Sequence, residues 1–503
     1  MAGRVRRFLQ RTAARLTPSG SVAERTVMSG IWVTATNVID RGLQVLMLIV
    51  LARLLTPRDF GLFGITLLVF SAMRKFTEIG VDVALIQQRS ENVDDYLNTV
   101  WVIEIARGAT VAAVLFAVAP LIASLFGEPR AIGLLRVMTL SPLVLGLRNP
   151  GVVYFQKNLE FHKQFVYQLS GSVVLFVLTV GYALAYRSVW SLVLGFVAAD
   201  VTRMIVSYFT HDHRPRFEFD LSLAKELVEY GKWVTGSSIL QFLYNEGDDV
   251  IVGWVLSATA LGFYQLAYRL ANAPATEVSQ IISQVMFPTY SILQEDSRRL
   301  RESFYRTLRI TTLVTFPAAF GIAAVTPSFV EAFLGEEWLP MVTAMQLLAI
   351  YGLIRALGKT YAPIWMAIGR PDYLTKLSLL STVLIAVFIY PVTVAYGIEG
   401  TALVIVGTDL LVMLPLSVFL VIDSVNTTYF DFLREISYPF VASAMMWAVI
   451  MLIRESTSFR WAVAEFTVLV SAGALVYVTV VLALDTIFDW ELVENIATIR
   501  NAL

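Results

Sequence analysis

Long apolar segments follow one another along nearly the whole chain, and short turns rich in charged residues, proline or glycine separate them. About 20 predominantly apolar residues in a helix span the hydrocarbon core of a bilayer, and many of these segments are longer. The pattern therefore predicts an all-α polytopic membrane protein with about 14 transmembrane helices. The predicted segments are 27–52, 59–87, 97–125, 131–155, 164–186, 189–210, 231–256, 259–290, 304–334, 340–367, 374–396, 399–422, 436–454 and 461–484.

Prolines inside two of the predicted segments are expected to interrupt the helix. Segment 131–155 contains Pro142 and Pro150, and segment 304–334 contains Pro317 and Pro327. Proline removes a backbone hydrogen bond and clashes with the preceding turn, so these two segments are expected to be broken helices.

The composition agrees with a membrane protein and excludes several kinds of site. Of 503 residues, 57% are hydrophobic and only 15% are charged, whereas soluble proteins average about 25% charged residues. The 38 basic and 39 acidic residues give a net charge of −1, without the excess typical of a nucleic-acid-binding protein. Since the chain has no cysteine and only three histidines, we expect neither a metal nor a cofactor, apart from a transported H⁺ or Na⁺.

The orientation follows from the distribution of basic residues over the turns. Segment 1–26 is rich in arginine and is either a basic amphipathic helix on the membrane surface or a disordered tail. Lysine and arginine accumulate in cytoplasmic loops. If segment 1–26 is cytoplasmic, the basic residues of the other cytoplasmic turns are Arg89, Lys157, Lys163, Arg214, Arg216, Lys225, Arg298, Arg299, Arg301, Arg370, Lys376 and Arg434. Both termini are then cytoplasmic, including the tail 486–503.

A repeat divides the chain into two lobes. Gly30-Ile-Trp-Val-Thr34 matches Gly231-Lys-Trp-Val-Thr235, and the same offset of 201 places Phe60-Gly-Leu-Phe63 over Leu261-Gly-Phe-Tyr264. Both copies enter the membrane from the same side, so the repeat is parallel. It predicts two pseudo-symmetric six-helix lobes joined by a cytoplasmic linker and followed by two further helices. The corresponding ranges are 27–210, 231–422, 211–230 and 423–485.

Charged residues inside the apolar segments are candidates for function, because a charge at the centre of a membrane helix costs about 2.5–3.5 kcal/mol. Some of them come at helical spacing and either neutralise each other or serve transport. These pairs are Arg74 with Glu78, Glu104 with Arg107, and Asp200 with Arg203.

Other cations have no acidic partner at helical spacing. Arg41, Arg269, Arg355 and Lys359 belong to this group, and we interpret them, together with Arg74, as cavity-lining cations that bind an anionic headgroup. Guanidinium groups donate paired hydrogen bonds to phosphate oxygens. The alternative is that these side chains reach the interface or form salt bridges between helices.

The run Tyr244-Asn-Glu-Gly-Asp-Asp249 places three carboxylates within one predicted helix. Either the helix breaks there or one of its faces meets water. Glu246, Asp248 and Asp249, with Asp40 in the first segment, are candidates for coupling transport to H⁺ or Na⁺. Two alternatives are pairing with arginines of the same lobe and the Mg²⁺–diphosphate site of a prenyltransferase, which would need a second cluster of aspartates.

Several short motifs occur in an order that resembles one family. The stretch Leu51–Phe63 resembles the first-turn signature of the polysaccharide-transporter family, the O-antigen and lipopolysaccharide flippases of the MOP superfamily. The other similar stretches are Gly80–Arg89, Phe155–Phe161, Ala258–Tyr264, Gly369–Pro371 and Tyr396–Ala402. The resemblance covers about residues 30–425 and implies a MATE-like fold with a central cavity that moves lipid-linked sugars.

The resulting hypothesis is a flippase in the cytoplasmic membrane that transports polyprenyl-phosphate- or diphosphate-linked oligosaccharide by alternating access. Its partners would be that substrate, membrane lipids and glycan-assembly proteins. Without a phosphate-binding loop in the sequence, we expect ion coupling rather than ATP hydrolysis. The alternatives are a multidrug or cation antiporter of the same superfamily and, from a different class, a polysaccharide polymerase or ligase, which would be an enzyme.

Overall fold

The computed structural model describes residues 22–78, 93–457 and 459–488, and the regular elements of that part are all helices. The basic segment 1–21, the stretch 79–92 with one of the family-like motifs, and the tail 489–503 lie outside it. The chain divides into two compact units, Met1–Val250 and Ile251–Leu503. In the first unit, the α-helices are α1 (Val22–Leu54), α2 (Pro57–Phe76), α3 (Val93–Leu125), α4 (Ala131–Met138), α5 (Leu140–Gly146), α6 (Val153–Lys157), α7 (Phe161–Tyr186), α8 (Trp190–Thr210) and most of α9 (Leu221–Val255).

The second unit begins within the last turns of α9 and contains the remaining helices. The α-helices are α10 (Ala258–Leu293), α11 (Ser297–Phe329), α12 (Val342–Ala367), α13 (Asp372–Thr408), α14 (Leu414–Ser424), α15 (Tyr429–Ser456) and α16 (Ala462–Phe488). A π-helical turn, Val330–Leu334, and a 3₁₀ turn, Glu336–Met341, follow α11. A second π-helical turn, Asp409–Met413, lies between α13 and α14.

Among the described residues, nine helices or continuous helical runs are long and apolar enough to cross a membrane. A tenth candidate is a bent pair, Ala131–Gly146 and Pro150–Lys157, with an angle of 73° between its halves. The predicted all-α polytopic class is confirmed, whereas the count of 14 and the six-helix lobes stay predictions. Helices α2, α9 and α10 are also long, but charged residues along them lower their mean hydropathy.

The predicted break in segment 131–155 is confirmed. The chain leaves the helix after Gly146 and re-enters it at Pro150, with Asn149 as the capping residue between them. The Asn149 Oδ1 accepts a hydrogen bond from the backbone N–H of Gly151 at 2.9 Å. Pro142 lies in the first turn of α5, where its missing N–H costs little.

The break predicted for segment 304–334 is wrong, because α11 passes through Pro317 and Pro327 without interruption. Each proline leaves the carbonyl four residues before it without its helical partner. The Tyr477 hydroxyl donates to the Leu313 carbonyl at 2.7 Å, and the Gln346 amide donates to the Ala323 carbonyl at 2.8 Å. Side chains from α16 and α12 thus replace the two missing hydrogen bonds.

Helix α9 begins at Leu221, within the predicted linker 211–230. The Asp220 carboxylate accepts hydrogen bonds from the backbone N–H groups of Ser222 at 2.7 Å and Leu223 at 3.3 Å. A hydrogen bond from the Ser222 hydroxyl, together with these two bonds, lowers the pKa of Asp220 and caps the helix.

Further along the chain, Gly397, with φ of 63°, separates the two predicted segments 374–396 and 399–422.

Close packing by glycine positions the helices of the first unit. A Cβ on Gly108 of α3 would lie 2.3 Å from the Pro142 carbonyl oxygen, and a Cβ on Gly146 would lie 2.6 Å from the Glu104 carbonyl oxygen. Small residues allow membrane helices to approach this closely. The contact places Glu104 and Arg107 of α3 beside the broken helix.

An aromatic core positions α12 in the second unit. Phe304, Tyr361, Trp365 and Phe432 are all buried in one cluster that joins α11, α12 and α15. Buried aromatic side chains remove a large apolar area from the surroundings and lock the helices that carry them. The cluster fixes the helix on which Arg355 lies, between one and two turns before Tyr361.

Candidate functional site

In the first unit, Asp40 is the centre of a polar network within the membrane segments. It accepts hydrogen bonds from the Ser172 hydroxyl of α7 at 2.5 Å and from the Gln44 amide at 2.6 Å. The Gln44 Oε1 in turn accepts a hydrogen bond from the Arg41 Nη1 at 3.2 Å. Arg41, itself exposed, is therefore held on α1 by a chain of polar contacts that ends on α7.

The end of α2 differs in detail from the sequence-based pairing. The ion pair of Glu78 is made with Lys75 at 3.2 Å rather than with Arg74. The Ser238 hydroxyl of α9 donates to the same carboxylate at 3.2 Å. Arg74 directly precedes Lys75 on α2 and is exposed. Its positive charge attracts the carboxylate of Asp200 on α8 electrostatically. Because Arg74 and Lys75 are neighbours on a helix, their side chains point in directions about 100° apart, and Lys75 is the one that faces Glu78.

The other two predicted pairs are confirmed. Arg107 Nη2 lies 2.5 Å from the Glu104 carboxylate, and Arg203 Nη1 lies 3.1 Å from the Asp200 carboxylate. Asp200 is buried and also accepts a hydrogen bond from the Ser141 hydroxyl of α5. These contacts favour the interpretation that both pairs neutralise themselves inside the bundle.

A cavity of about 540 Å³ lies beside Arg107 in the first unit. It is bounded by the end of α2, by α3, by the segment before α9 and by the first half of α9. Its wall is mostly apolar and includes Phe76, Ile103 and Phe219, while Arg107 and Thr235 supply polar groups. Cavities of this size and composition suit an amphipathic ligand.

In the second unit, Arg355 of α12 is surrounded by groups from three other places in the chain. Its Nη1 donates to the Tyr268 hydroxyl of α10, and its guanidinium lies 5.5 Å from the ring centroid of Tyr351. Its charge also acts on the buried Asp409, which begins the second π-helical turn. Asp409 lies 54 residues further along the chain than Arg355.

The remaining sequence-predicted cations occupy exposed positions. Lys359 lies one turn after Arg355 on α12, and each charge acts on the other. Arg269 follows Tyr268 on α10 but is exposed. Of these cations, Arg355 and Lys359 are neighbours on one face of α12, whereas Arg269 lies on α10.

The carboxylates of α9 lie in an unbroken helix. The expectation that the helix could break at Tyr244–Asp249 is wrong, because α9 is continuous to Val255. Asp248 is buried, and Glu246 and Asp249 are half-buried. Each of the three has an interaction partner. An unbroken helix frees no backbone carbonyl at this position to bind an ion. The side-chain carboxylates are therefore the ion ligands that this part of α9 offers.

Sequence reasoning missed the polar residues that come from other helices. Ser141, Ser172 and Tyr268 contact the predicted charges but lie 59, 132 and 87 residues from their partners. It also missed Arg309 of α11 and Glu435 of α15, which form an ion pair with two hydrogen bonds. Hydroxyl groups of this kind are too common in membrane helices to stand out in a single sequence.

Comparison with known proteins adds a family and several relatives. The family model described as "Polysaccharide biosynthesis protein" matches residues 50–343. The chain is 28% identical over 428 residues to the lipopolysaccharide biosynthesis protein WzxC of Escherichia coli K12, covering 84% of this chain and 86% of that protein. It is 26% identical over 357 residues to the succinoglycan biosynthesis transport protein ExoT of Rhizobium meliloti, covering 71% and 72% of the two chains.

Two solved structures share the fold. The lipid II flippase MurJ in an inward closed conformation matches with a TM-score of 0.71 and 15% identity, covering 90% of this chain and 98% of that protein. An inward-facing multidrug resistance MATE family transporter of the MOP superfamily matches with a TM-score of 0.58 and 14% identity, covering 83% and 96%. The predicted fold of the MOP superfamily is confirmed.

Proposed function

Because the chain belongs to the family of polysaccharide biosynthesis proteins, we propose that it is a flippase for lipid-linked oligosaccharide in the cytoplasmic membrane. It is a transport protein rather than an enzyme, in line with its relative ExoT, which is named a transport protein. The substrate would be an oligosaccharide on a polyprenyl phosphate or diphosphate, moved by alternating access. The observation that carries the proposal is Arg355, a cation held in a membrane helix by Tyr268 and Tyr351.

The anionic headgroup would bind to cations within the membrane segments. In the second unit, Arg355 and Lys359 supply two positive charges one helical turn apart, and the exposed Arg269 is a further candidate. In the first unit, the candidates are Arg41, which is held by the Asp40 network, and the exposed Arg74. A phosphate accepts several charge-assisted hydrogen bonds at once, so a set of cations binds it more tightly than one.

The function is tested by transport of the lipid-linked oligosaccharide that accumulates in cells lacking this gene. Purified protein in proteoliposomes is expected to move it, and expression of the gene is expected to restore surface polysaccharide. The MATE-like fold also suits an antiporter for organic cations. Efflux of such a cation, with no movement of the lipid-linked oligosaccharide, would overturn the proposal.

Ion coupling is proposed at Asp248 or Asp249, with Glu246 and Asp40 as further candidates. An ion shifts a conformational equilibrium only through different affinities for the two states. We expect an imposed pH or sodium gradient to accelerate transport by the wild type and to lose this effect in Asp248→Asn or Asp249→Asn. The matched control Asp423→Asn, on the exposed end of α14, is expected to keep it. Equal rates with and without either gradient would leave these carboxylates as structural groups.

Both termini are proposed to be cytoplasmic. Because the chain has no cysteine, single cysteines report sidedness without background. Ser297→Cys is expected to be protected from an impermeant thiol reagent in intact cells, and Ser456→Cys, at the exposed end of α15, is expected to be labelled. The opposite pattern would reverse the orientation.

A further inference from the structure

A second, smaller cavity of about 140 Å³ lies at the break between α5 and α6 in the first unit. Its polar wall consists of Arg148 from the break, Gln156 of α6, and Gln164, Tyr167 and Gln168 of α7. Apolar side chains of the break and of α6 complete the wall. None of the cations proposed above for the headgroup lines this cavity, and neither the family match nor the relatives assign it a role.

The break beside the cavity is held in one conformation. The Asn149 amide donates to the His213 carbonyl at 2.8 Å, and the Asn149 N–H donates to the Ser207 hydroxyl at 3.0 Å. A Cβ on Gly151 would lie 2.4 Å from the His211 Nδ1, so only glycine fits there. Interrupted helices in transporters commonly form ligand sites, because side chains and backbone groups are presented there in fixed positions.

The polar groups of the wall define the chemistry of the ligand. Within the described part of the chain, the buried Gln164 Oε1 accepts no hydrogen bond. A buried acceptor without a donor costs free energy, and rotation of the Gln164 side chain toward a ligand O–H or N–H group would recover that cost. A fully ionised phosphate has no such donor, whereas a sugar hydroxyl is both donor and acceptor. Three glutamine amides, each with donor and acceptor atoms, suit neighbouring hydroxyl groups.

The volume of the cavity fits a small ligand. The cavity of about 140 Å³ is well above the ~10–15 Å³ that a single enclosed water needs. It accommodates one sugar ring that displaces several waters. Tyr167 adds an aromatic ring, and an aromatic ring packs well against the apolar face of a sugar.

We propose that this cavity is a saccharide-binding subsite that takes one sugar residue of the transported molecule. The inference rests on the proposed function, because the sugar is part of the lipid-linked oligosaccharide. The cations would bind the phosphate, and the glutamines at the helix break would select the sugar. Recognition of the glycan and of the headgroup then depends on different residues.

The binding test uses the full-length protein in detergent and the water-soluble oligosaccharide released by mild acid from the accumulated lipid-linked intermediate. Calorimetry is expected to detect binding to the wild type and a Kd about fivefold higher for Gln164→Met, which removes the acceptor at nearly constant volume. Gln164→Glu keeps an acceptor oxygen and is expected to bind as tightly as the wild type. Inorganic diphosphate is expected not to displace the saccharide.

The control substitution is Gln346→Met, which removes the structural hydrogen bond to Ala323 but lies on α12 in the other unit. It is expected to leave the saccharide Kd unchanged. No binding to the wild type, an equal Kd in Gln164→Met, or displacement of the saccharide by diphosphate would each overturn the subsite.

Transport separates failure of the subsite from failure of the proposed function. If the wild type moves the lipid-linked oligosaccharide and Gln164→Met does so with an unchanged KM, the subsite is wrong and the flippase stands. If the wild type moves none of it, the flippase proposal fails. The calorimetric result with the released saccharide then decides the subsite by itself.

Discussion

Replacing Arg355 by alanine is expected to reduce transport of the lipid-linked oligosaccharide by about tenfold to a hundredfold while the protein still folds. Tyr268 and Tyr351 orient the guanidinium without carrying charge. A charge-assisted hydrogen bond to a phosphate contributes about 1.5–3 kcal/mol, which corresponds to that loss. The measurement is the initial rate in proteoliposomes at equal protein content.

Three further variants separate binding of the headgroup from a structural effect of Arg355. Arg355→Lys keeps the charge but not the planar pair of donors, so partial activity is expected. Tyr268→Phe removes only the hydroxyl that accepts from Arg355 and should cause a smaller loss. Arg298→Ala, an exposed arginine paired with Glu302, is the matched control and should transport normally. A wild-type rate in Arg355→Ala would contradict its role in headgroup binding.

The helices could be predicted from the sequence because hydropathy depends on local composition. The break at Pro150 was predictable for the same reason, since the residues that form it are adjacent in the chain. Pro317 and Pro327 have the same local signal, yet α11 is intact. The difference comes from Tyr477 and Gln346, which lie far along the chain and donate to the freed carbonyls. Only tertiary structure decides whether a membrane proline breaks its helix.

The same distinction applies to the charged residues. Glu104 with Arg107, and Asp200 with Arg203, were predictable because helix geometry alone brings residues three apart to one face. Helix geometry could not choose between Lys75 and Arg74 as the partner of Glu78. Tyr268, the hydrogen-bond partner of Arg355, could not be found from spacing, because it lies on α10. The sequence identified the charges, and the fold determines their neighbours.

Replacing Asp200 by alanine is expected to destabilise the protein by about 2 kcal/mol, because it leaves the half-buried Arg203 without its countercharge. Asp200 is 4% exposed, and Arg203, at 3.1 Å, would lose its partner inside the first unit. The Ser141 hydroxyl would also lose its acceptor. The measurement is the midpoint of thermal unfolding in detergent, followed by tryptophan fluorescence.

The double variant Asp200→Ala with Arg203→Ala tests the cause of this loss. If the cost comes from leaving the arginine without a countercharge, removing both side chains should restore part of the stability lost in Asp200→Ala. The matched control is Asp372→Ala, a carboxylate with a 40% exposed side chain that pairs with the exposed Arg370 and Lys376, whose removal should hardly change the unfolding midpoint. Equal midpoints for Asp200→Ala and the wild type would mean that water or another group compensates Arg203. The pair would then contribute nothing measurable to the first unit.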